Sequence, residues 1–277
     1  MIGELYLVAT PIGNLEDITL RAINTLKQVD LIVAEDTRHT LKLLNHLNIS
    51  KTLISYHRHS NKEKEDEIIN KLLQGNNIAL VSDAGTPVIS DPGDNIVIRA
   101  IQNNINVISI PGPCAAITAI IASGLDANEF TFLGFLPLNS KLRKEKLLEI
   151  ENTNKTIIIY EAPHKLMNTL NQLKEILGNR CLVIARELTK VHEEFIRGNI
   201  KQILSNEITL KGEFVIIIEK NNNIQTEQSK WSSVSIQEHY KYYQDKQMKK
   251  NDILKQMSLD RKLSKNEIYK ILLNKKK

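Results

Sequence analysis

Three loops of Gly, Pro and small polar residues each follow a short apolar run. They are Ala9-Thr10-Pro11-Ile12-Gly13-Asn14, the segment from Ser82-Asp83-Ala84-Gly85-Thr86-Pro87 to Ser90-Asp91-Pro92-Gly93, and Pro111-Gly112-Pro113-Cys114-Ala115-Ala116. Glycine admits φ > 0 and close approach of main chain to a ligand, and proline fixes φ and stiffens the loop. In open α/β sheets, loops at the carboxyl ends of strands are where ligands bind. None of the three offers a bulky side-chain hook, so recognition through backbone groups is the natural chemistry. Pro113 suits a first helical turn, whose free N–H groups can receive a carboxylate or phosphate. One such loop is equally an ordinary strand-to-helix turn, but three build a crevice. Neither GxxxxGK[ST] nor G-x-G-x-x-G occurs, so a triphosphate grip is not expected.

Polar clusters supply the side-chain chemistry. Tyr160-Glu161-Ala162-Pro163-His164-Lys165 closes an apolar run, and Arg186-Glu187-Leu188-Thr189-Lys190-Val191-His192-Glu193-Glu194 joins two. The second cluster also reads as a salt-bridged surface hairpin. Glu35-Asp36-Thr37-Arg38-His39 and Tyr56-His57-Arg58-His59 follow two earlier runs, with Asp36 suited to a helix cap. His39, His57 and His59 lack the carboxylate or cysteine spacing of a metal site, so no metal is expected. Cys114 and Cys181 form no framework and read as small buried hydrophobes.

The elements that must position these groups alternate. Strands are expected at Leu5–Ala9, Leu31–Ala34, Leu53–Ser55, Asn77–Ser82 and Val107–Ile110. Helices are expected at Ile18–Gln28, Arg38–Leu47, Lys62–Gln74, Asp94–Asn103 and after Pro113. That rhythm predicts a largely parallel sheet covered by helices. Beyond a hinge at Gly124–Asn128, further strands at Thr131–Leu133, Thr156–Tyr160, Leu182–Glu187, Glu194–Arg197 and Glu213–Glu219 accompany helices at Lys141–Glu151 and His164–Leu177. The hairpin near Lys190–His192 makes this second sheet mixed. The expected class is therefore α/β, with a parallel-rich sheet, a mixed sheet and a small C-terminal helical module. The domains are set at 1–124, 125–222 and 230–277, with a polar linker at Lys220–Ser229.

Length and charge narrow the function. A chain of 277 residues accommodates two domains or more. No apolar run approaches a membrane span and no secretory leader opens the sequence, so a cytoplasmic protein without membrane contact is expected. Residues 230–277 hold 13 Lys and Arg against 5 Asp and Glu, a balance of +8, while the remainder carries −3. Such asymmetry suits a polyanion, nucleic acid before membrane, although a solvated Lys-rich tail has the same composition. Ser264 and Glu267 form a capping box, and the tail has a helix-turn-helix look.

The ordered motifs Ala9–Leu15, Glu35–Arg38, Ser82–Gly93, Pro111–Pro113, Glu161–His164, Arg186–Lys190 and Leu263–Tyr269 resemble the tetrapyrrole methylase superfamily of S-adenosylmethionine-dependent methyltransferases. Within it they are similar to the branch that methylates a cytidine 2′-hydroxyl of 16S ribosomal RNA in the small subunit. The resemblance covers essentially the whole chain. It implies a homodimer with S-adenosylmethionine folded in a cleft. It also implies cofactor contacts from Pro11, Asp83, Ala84, Gly85, Thr86, Pro113, Cys114 and Ala115, and from Tyr160, Glu161 and Phe214 opposite. Cys114 stands where Ser or Asn is more usual, Lys165 where Arg is usual, and Arg58 where Glu is frequent.

An activated methyl donor leaves positioning as the main task, and a 2′-hydroxyl must lose its proton. Glu187, Glu161 and His164 are the candidate proton acceptors. Arg38, Arg186 and Lys190 could hold phosphates, and Lys262 and Lys265 of the tail could add salt-dependent attraction. Two alternatives stand beside this reading. One is a methyltransferase of the corrin or sirohaem pathway. The other is a ligand-sensing nucleic-acid-binding regulator.

Overall fold

The computed structural model describes residues 1–58, 60–221, 231, 234–246, 248–261 and 263–273. They form two compact units, Met1–Glu151 with Lys155–Lys220, and Asn152–Asn154 with Asn221–Lys277. The polar segment expected as a linker lies largely outside the described residues, as do His59 and Lys262.

In the first unit, β1 (Leu5–Val8), β2 (Leu31–Ala34), β3 (Thr52–Ser55), β4 (Ile78–Val81) and β5 (Val107–Ile110) alternate with α1 (Leu20–Gln28), α2 (Thr37–His46), α3 (Lys62–Leu73) and α4 (Asp94–Gln102). Every strand pair is parallel and the order is β3-β2-β4-β1-β5. β2 and β4 are buried throughout, as their unbroken apolar runs require in a sheet covered on both faces. The helix expected from Ile18 starts later. Asn14 caps a short 3₁₀ turn at Leu15–Asp17, and the Thr19 side chain then accepts from the Ala22 N–H at 3.1 Å to open α1. At the other end of α3, Gly75 adopts φ +98° and closes the helix.

The second sheet follows α5 (Ala115–Ser123). It is built from β6 (Phe130–Phe135), β7 (Thr156–Glu161), β8 (Cys181–Arg186), β9 (Glu194–Asn199) and β10 (Phe214–Ile218), in the order β6-β7-β10-β8-β9. The β6–β7 pair is parallel and the others antiparallel. The sheet is therefore mixed, with the expected β8–β9 hairpin. One face packs on α6 (Ser140–Glu151), α7 (Leu166–Leu177) and α8 (Ile200–Ser205). The other face receives α5, whose Ala116, Ala119 and Ile120 join Ile158, Val183, Val215 and Ile217. α5 belongs by sequence to the first sheet yet buries its apolar face on the second, which ties the two sheets together. Six-residue α8 is absent from the sequence reading, being too short for periodicity to register.

The second unit contains α9 (Ile236–Asp245), α10 (Lys250–Arg261) and α11 (Lys265–Leu273). Tyr243, Ile253, Leu254, Met257 and Ile268 form its core. The Ser264–Glu267 capping box is present, with Ser264 Oγ accepting the Glu267 N–H at 3.2 Å. No helix among the described residues is long and apolar enough to cross a membrane.

Candidate functional site

The carboxyl ends of β1, β4 and β5 are stitched to one another. Thr10 N–H donates to the Gly85 carbonyl at 2.9 Å and Gly85 N–H returns to the Thr10 carbonyl at 3.0 Å. The Thr10 hydroxyl reaches the Ser82 carbonyl, and the Ser82 hydroxyl reaches the Gly85 carbonyl. The Thr86 hydroxyl donates to the Pro113 carbonyl at 2.9 Å. Gly85 sits at φ +85°, and a Cβ there would lie 3.1 Å from Ile12 Cγ2. The expected crevice is thus one hydrogen-bonded floor. Pro113 precedes the Cys114 cap of α5 rather than entering its first turn.

Above this floor lies a cleft of about 420 Å³, within the range of small-ligand sites. Asp83, Ala84, Gly85, Thr86, Cys114 and Ala115 line it from one side, and Tyr160, Glu161 and Phe214 from the other. Pro11 and Pro113 are not among its lining residues. The Tyr160 hydroxyl accepts from the Ala116 N–H at 3.1 Å, so a side chain from β7 occupies part of the α5 N-terminus.

Two carboxyls that the sequence reading did not single out also line the cleft, Glu35 and Asp91. Both stand inside quoted motifs, and their acidity in otherwise small-residue loops was the available signal. Burial raises Glu35, with Asp83 adding to it against Arg58 and His57. Burial, then Glu35 and Asp83, push Asp91 up to about 7, against Arg58 and the Ser82 hydroxyl. The cleft is consequently an acidic enclosure suited to a cation. Among the described residues, no group of three His, Cys, Asp or Glu is arranged to hold a metal ion.

The three candidate proton acceptors occupy different places. Glu161 is buried at the cleft wall, where it accepts from the Thr169 hydroxyl at 2.5 Å and the Ala162 N–H at 2.9 Å, with Arg143 at 3.8 Å. Glu187, at φ +51°, accepts from Lys190 Nζ at 2.9 Å and from the Glu213 N–H at 3.1 Å. Burial tends to raise its carboxyl, but Lys190 and the Glu213 N–H outweigh it and the net shift is downward. It sits behind the cleft-lining Gly212, where a Cβ would collide with its carboxylate. His164, in a 3₁₀ turn, is exposed and outside the cleft lining.

The basic candidates differ too. Arg38 is 87% exposed and chelates Asp36 through Nε and Nη2 at 3.0 and 2.7 Å. Arg186 pairs with Glu194 at 3.1 Å, and Lys190 bridges Glu187 and Glu213 at 2.9 Å each. Lys265 is exposed at the start of α11.

Comparison with known proteins adds to this geometry. Residues 4–204 match the model of the family described as Tetrapyrrole (Corrin/Porphyrin) Methylases. A protein of Halalkalibacterium halodurans named Ribosomal RNA small subunit methyltransferase I is 49% identical, over 97% of this chain and 94% of its own. A protein of the same name from Bacillus subtilis is 46% identical over 97% and 93%. The crystal structure of uroporphyrin III C-methyl transferase from Thermus thermophilus superposes with a TM-score of 0.57 at 15% identity, over 78% of this chain and 97% of that one. That likeness speaks for the fold.

Proposed function

This chain belongs to the tetrapyrrole (corrin/porphyrin) methylases, and from that premise we propose that it transfers a methyl group from S-adenosylmethionine to a cytidine 2′-hydroxyl of 16S ribosomal RNA in the small subunit. Relatives 46–49% identical along nearly the whole chain, named as small-subunit ribosomal RNA methyltransferases, favour this substrate over a corrin or sirohaem precursor. The observation that carries the reading is the single floor made by the Thr10–Gly85 bridge and the Thr86–Pro113 hydrogen bond beneath an acidic cleft.

The residues present fit the cofactor. Backbone from Asp83 to Thr86 and from Cys114 to Ala115 would hold one side, and Tyr160, Glu161 and Phe214 the other. Glu35, Asp83 and Asp91 give that space the negative potential a sulfonium cation requires. When bound, S-adenosylmethionine supplies an electrophilic methyl group. The protein's remaining work is to seat the ribose in line, exclude water and receive the hydroxyl proton. Among Glu161, Glu187 and His164 the reading favours Glu161, because its carboxylate lines the cleft and retains lone pairs beyond those given to Thr169 and Ala162. Arg38 is free to exchange Asp36 for a phosphate at little cost, its ion pair being solvent-exposed. Arg186, Lys190, Lys262 and Lys265 would add further phosphate contacts.

A homodimer in the cytoplasm completes the proposal. The exposed Ile117 and Ile121 of α5 and Leu138 after β6 offer apolar surface for a second copy. The test is incubation of the full chain with methyl-labelled cofactor and small subunits lacking the modification, alongside a porphyrinogen. Label recovered as 2′-O-methylcytidine supports the reading. Label entering the porphyrinogen and not the RNA overturns it.

A further inference from the structure

Strand β6 contains a one-residue irregularity. Phe132 pairs with Ile158 of β7, but Gly134 pairs with Ile159 and Phe135 with Tyr160, so Leu133 is the extra residue. Side chains alternate along a regular strand, which would place Phe132 and Phe135 on opposite faces. The bulge cancels that alternation. Both rings meet Tyr160 edge-on, at centroid distances of 4.9 and 5.6 Å, while Leu133 joins the opposite core. Gly134 takes φ +62° to make the turn.

The outcome is an aromatic ring presented to the cleft rather than packed away. Phe135 lines the cleft and is 58% exposed. Ile89, another exposed apolar residue, lines it too. The β6 backbone runs directly against this segment, since a Cβ on Gly134 would lie 3.0 Å from Ser90 Oγ. At the same rim, Arg58 Nη2 donates to the Ser90 carbonyl at 3.2 Å, and Asp91 follows Ser90 into the cleft lining. A ring with an open face, a carboxylate that can accept from an amino group and a guanidinium that can meet a phosphate are the parts of a nucleotide subsite.

We propose that Phe135, turned into the cleft by the β6 bulge, is the platform on which the base of the target nucleotide stacks when its ribose is seated for methylation. The inference rests on the RNA reading above and adds a specificity residue to it. A nucleotide whose 2′-hydroxyl reaches an enclosed cleft leaves its own stack, and an aromatic face replaces the contact it gives up. Sequence periodicity conceals the residue, because an unbroken strand would bury it.

The experiment compares Phe135→Ala, Phe135→Leu, Phe135→Tyr and Phe135→Trp with the wild-type chain. Two quantities are read: kcat/KM for unmodified small subunits at saturating cofactor, and calorimetric affinity for S-adenosylhomocysteine. Stacking of one base on an aromatic ring corresponds to about 5- to 150-fold. The Ala and Leu variants should lose kcat/KM in that range, with product affinity within about twofold of wild type, and Tyr or Trp should restore turnover. The Leu variant keeps apolar volume, so the comparison survives if Ala perturbs folding. Wild-type turnover from Phe135→Leu overturns the platform. Product affinity falling in step with turnover assigns the ring to the cofactor instead and also overturns it. A wild-type chain that leaves the subunit RNA unmethylated removes the RNA reading itself, and the platform with it.

Discussion

The Tyr160 hydroxyl, carried on β7, accepts a hydrogen bond from the Ala116 N–H at the start of α5, 3.1 Å away. Cys114, the cap residue of that helix, makes no side-chain capping bond, so the phenol satisfies a helix-start donor from across the cleft. Tyr160→Phe keeps the ring contacts with Phe132 and Phe135 and deletes the acceptor. The expected cost is about 1 kcal/mol. That corresponds to a Tm lower by roughly 2–4 °C and S-adenosylhomocysteine binding weaker by about 2- to 10-fold. Calorimetry giving wild-type values for both would remove Tyr160 from the architecture of the seat.

Asp91 ties stability to pH. Between pH 3.8 and about 7 its carboxyl, raised by burial and by Glu35 and Asp83, holds a proton in the folded protein that the unfolded chain has released; above that range it is ionised in both. The associated stability is complete below 3.8 and is lost as pH climbs through 7. Asp91→Asn abolishes that contribution. Thermal unfolding between pH 5 and pH 8 should show the wild-type Tm falling more steeply than that of the variant, and parallel slopes would contradict the assignment. Ionised Asp91 also attracts a cation, so S-adenosylmethionine affinity should strengthen from pH 6 to pH 8 more in the wild type than in Asp91→Asn.

Glycine at position 112 is required by contact. A Cβ there would fall 2.8 Å from the Ala9 side chain, between the ends of β1 and β5. Gly112→Ala should cost about 1–3 kcal/mol through overpacking and weaken cofactor binding, because it separates two loops of the floor. Gly178 provides the contrast. It sits at φ +64° with nothing within 4 Å of an added Cβ, so Gly178→Ala should lower the Tm through backbone strain alone and leave cofactor affinity unchanged. Equal losses of affinity in the two variants, measured by titration calorimetry, would contradict the role given to the floor.

The helical unit has its own polar centre. Asp260 accepts from Tyr243 at 2.8 Å and Gln256 at 3.0 Å, and lies 3.0 Å from His239 Nε2, while Arg261 Nε donates to His239 Nδ1 at 2.9 Å. With Nδ1 accepting, Nε2 carries the proton and donates to Asp260. Asp260→Ala removes an acceptor shared by buried donors, at roughly 1–3 kcal/mol for each. Hydrogen exchange across α9, α10 and α11 should accelerate. S-adenosylhomocysteine affinity should hold, since every cleft-lining residue lies in the first unit. Exchange unchanged in those helices would mean the network contributes little.

Much of this was legible in the residues. Unbroken runs such as Leu31–Ala34 and Ile78–Val81 announce buried parallel strands, and the three Gly- and Pro-rich loops mark the floor that the hydrogen bonds close. What stayed hidden depends on pairing at a distance. Glu187 is attractive as an isolated carboxylate, yet Lys190 and the Glu213 N–H take it up. His164 shares a motif with Glu161, but the turn at Pro163–Lys165 carries it outward. Phe135 follows a bulge that only the register with β7 defines. Glu35 and Asp91 become one electrostatic cluster only when the ends of β2 and β4 meet, as the Asp36 N–H to Asp83 bond at 3.0 Å shows.

The account rests most directly on whether this floor and its acidic cleft seat S-adenosylmethionine. Titration calorimetry of ligand-free full-length protein with S-adenosylmethionine and S-adenosylhomocysteine should give saturable binding of one molecule per chain. It should be weakened in Gly112→Ala and unchanged from wild type in Gly178→Ala. Absence of saturable heat with either compound, at temperatures chosen so that a vanishing enthalpy cannot mask binding, would contradict it.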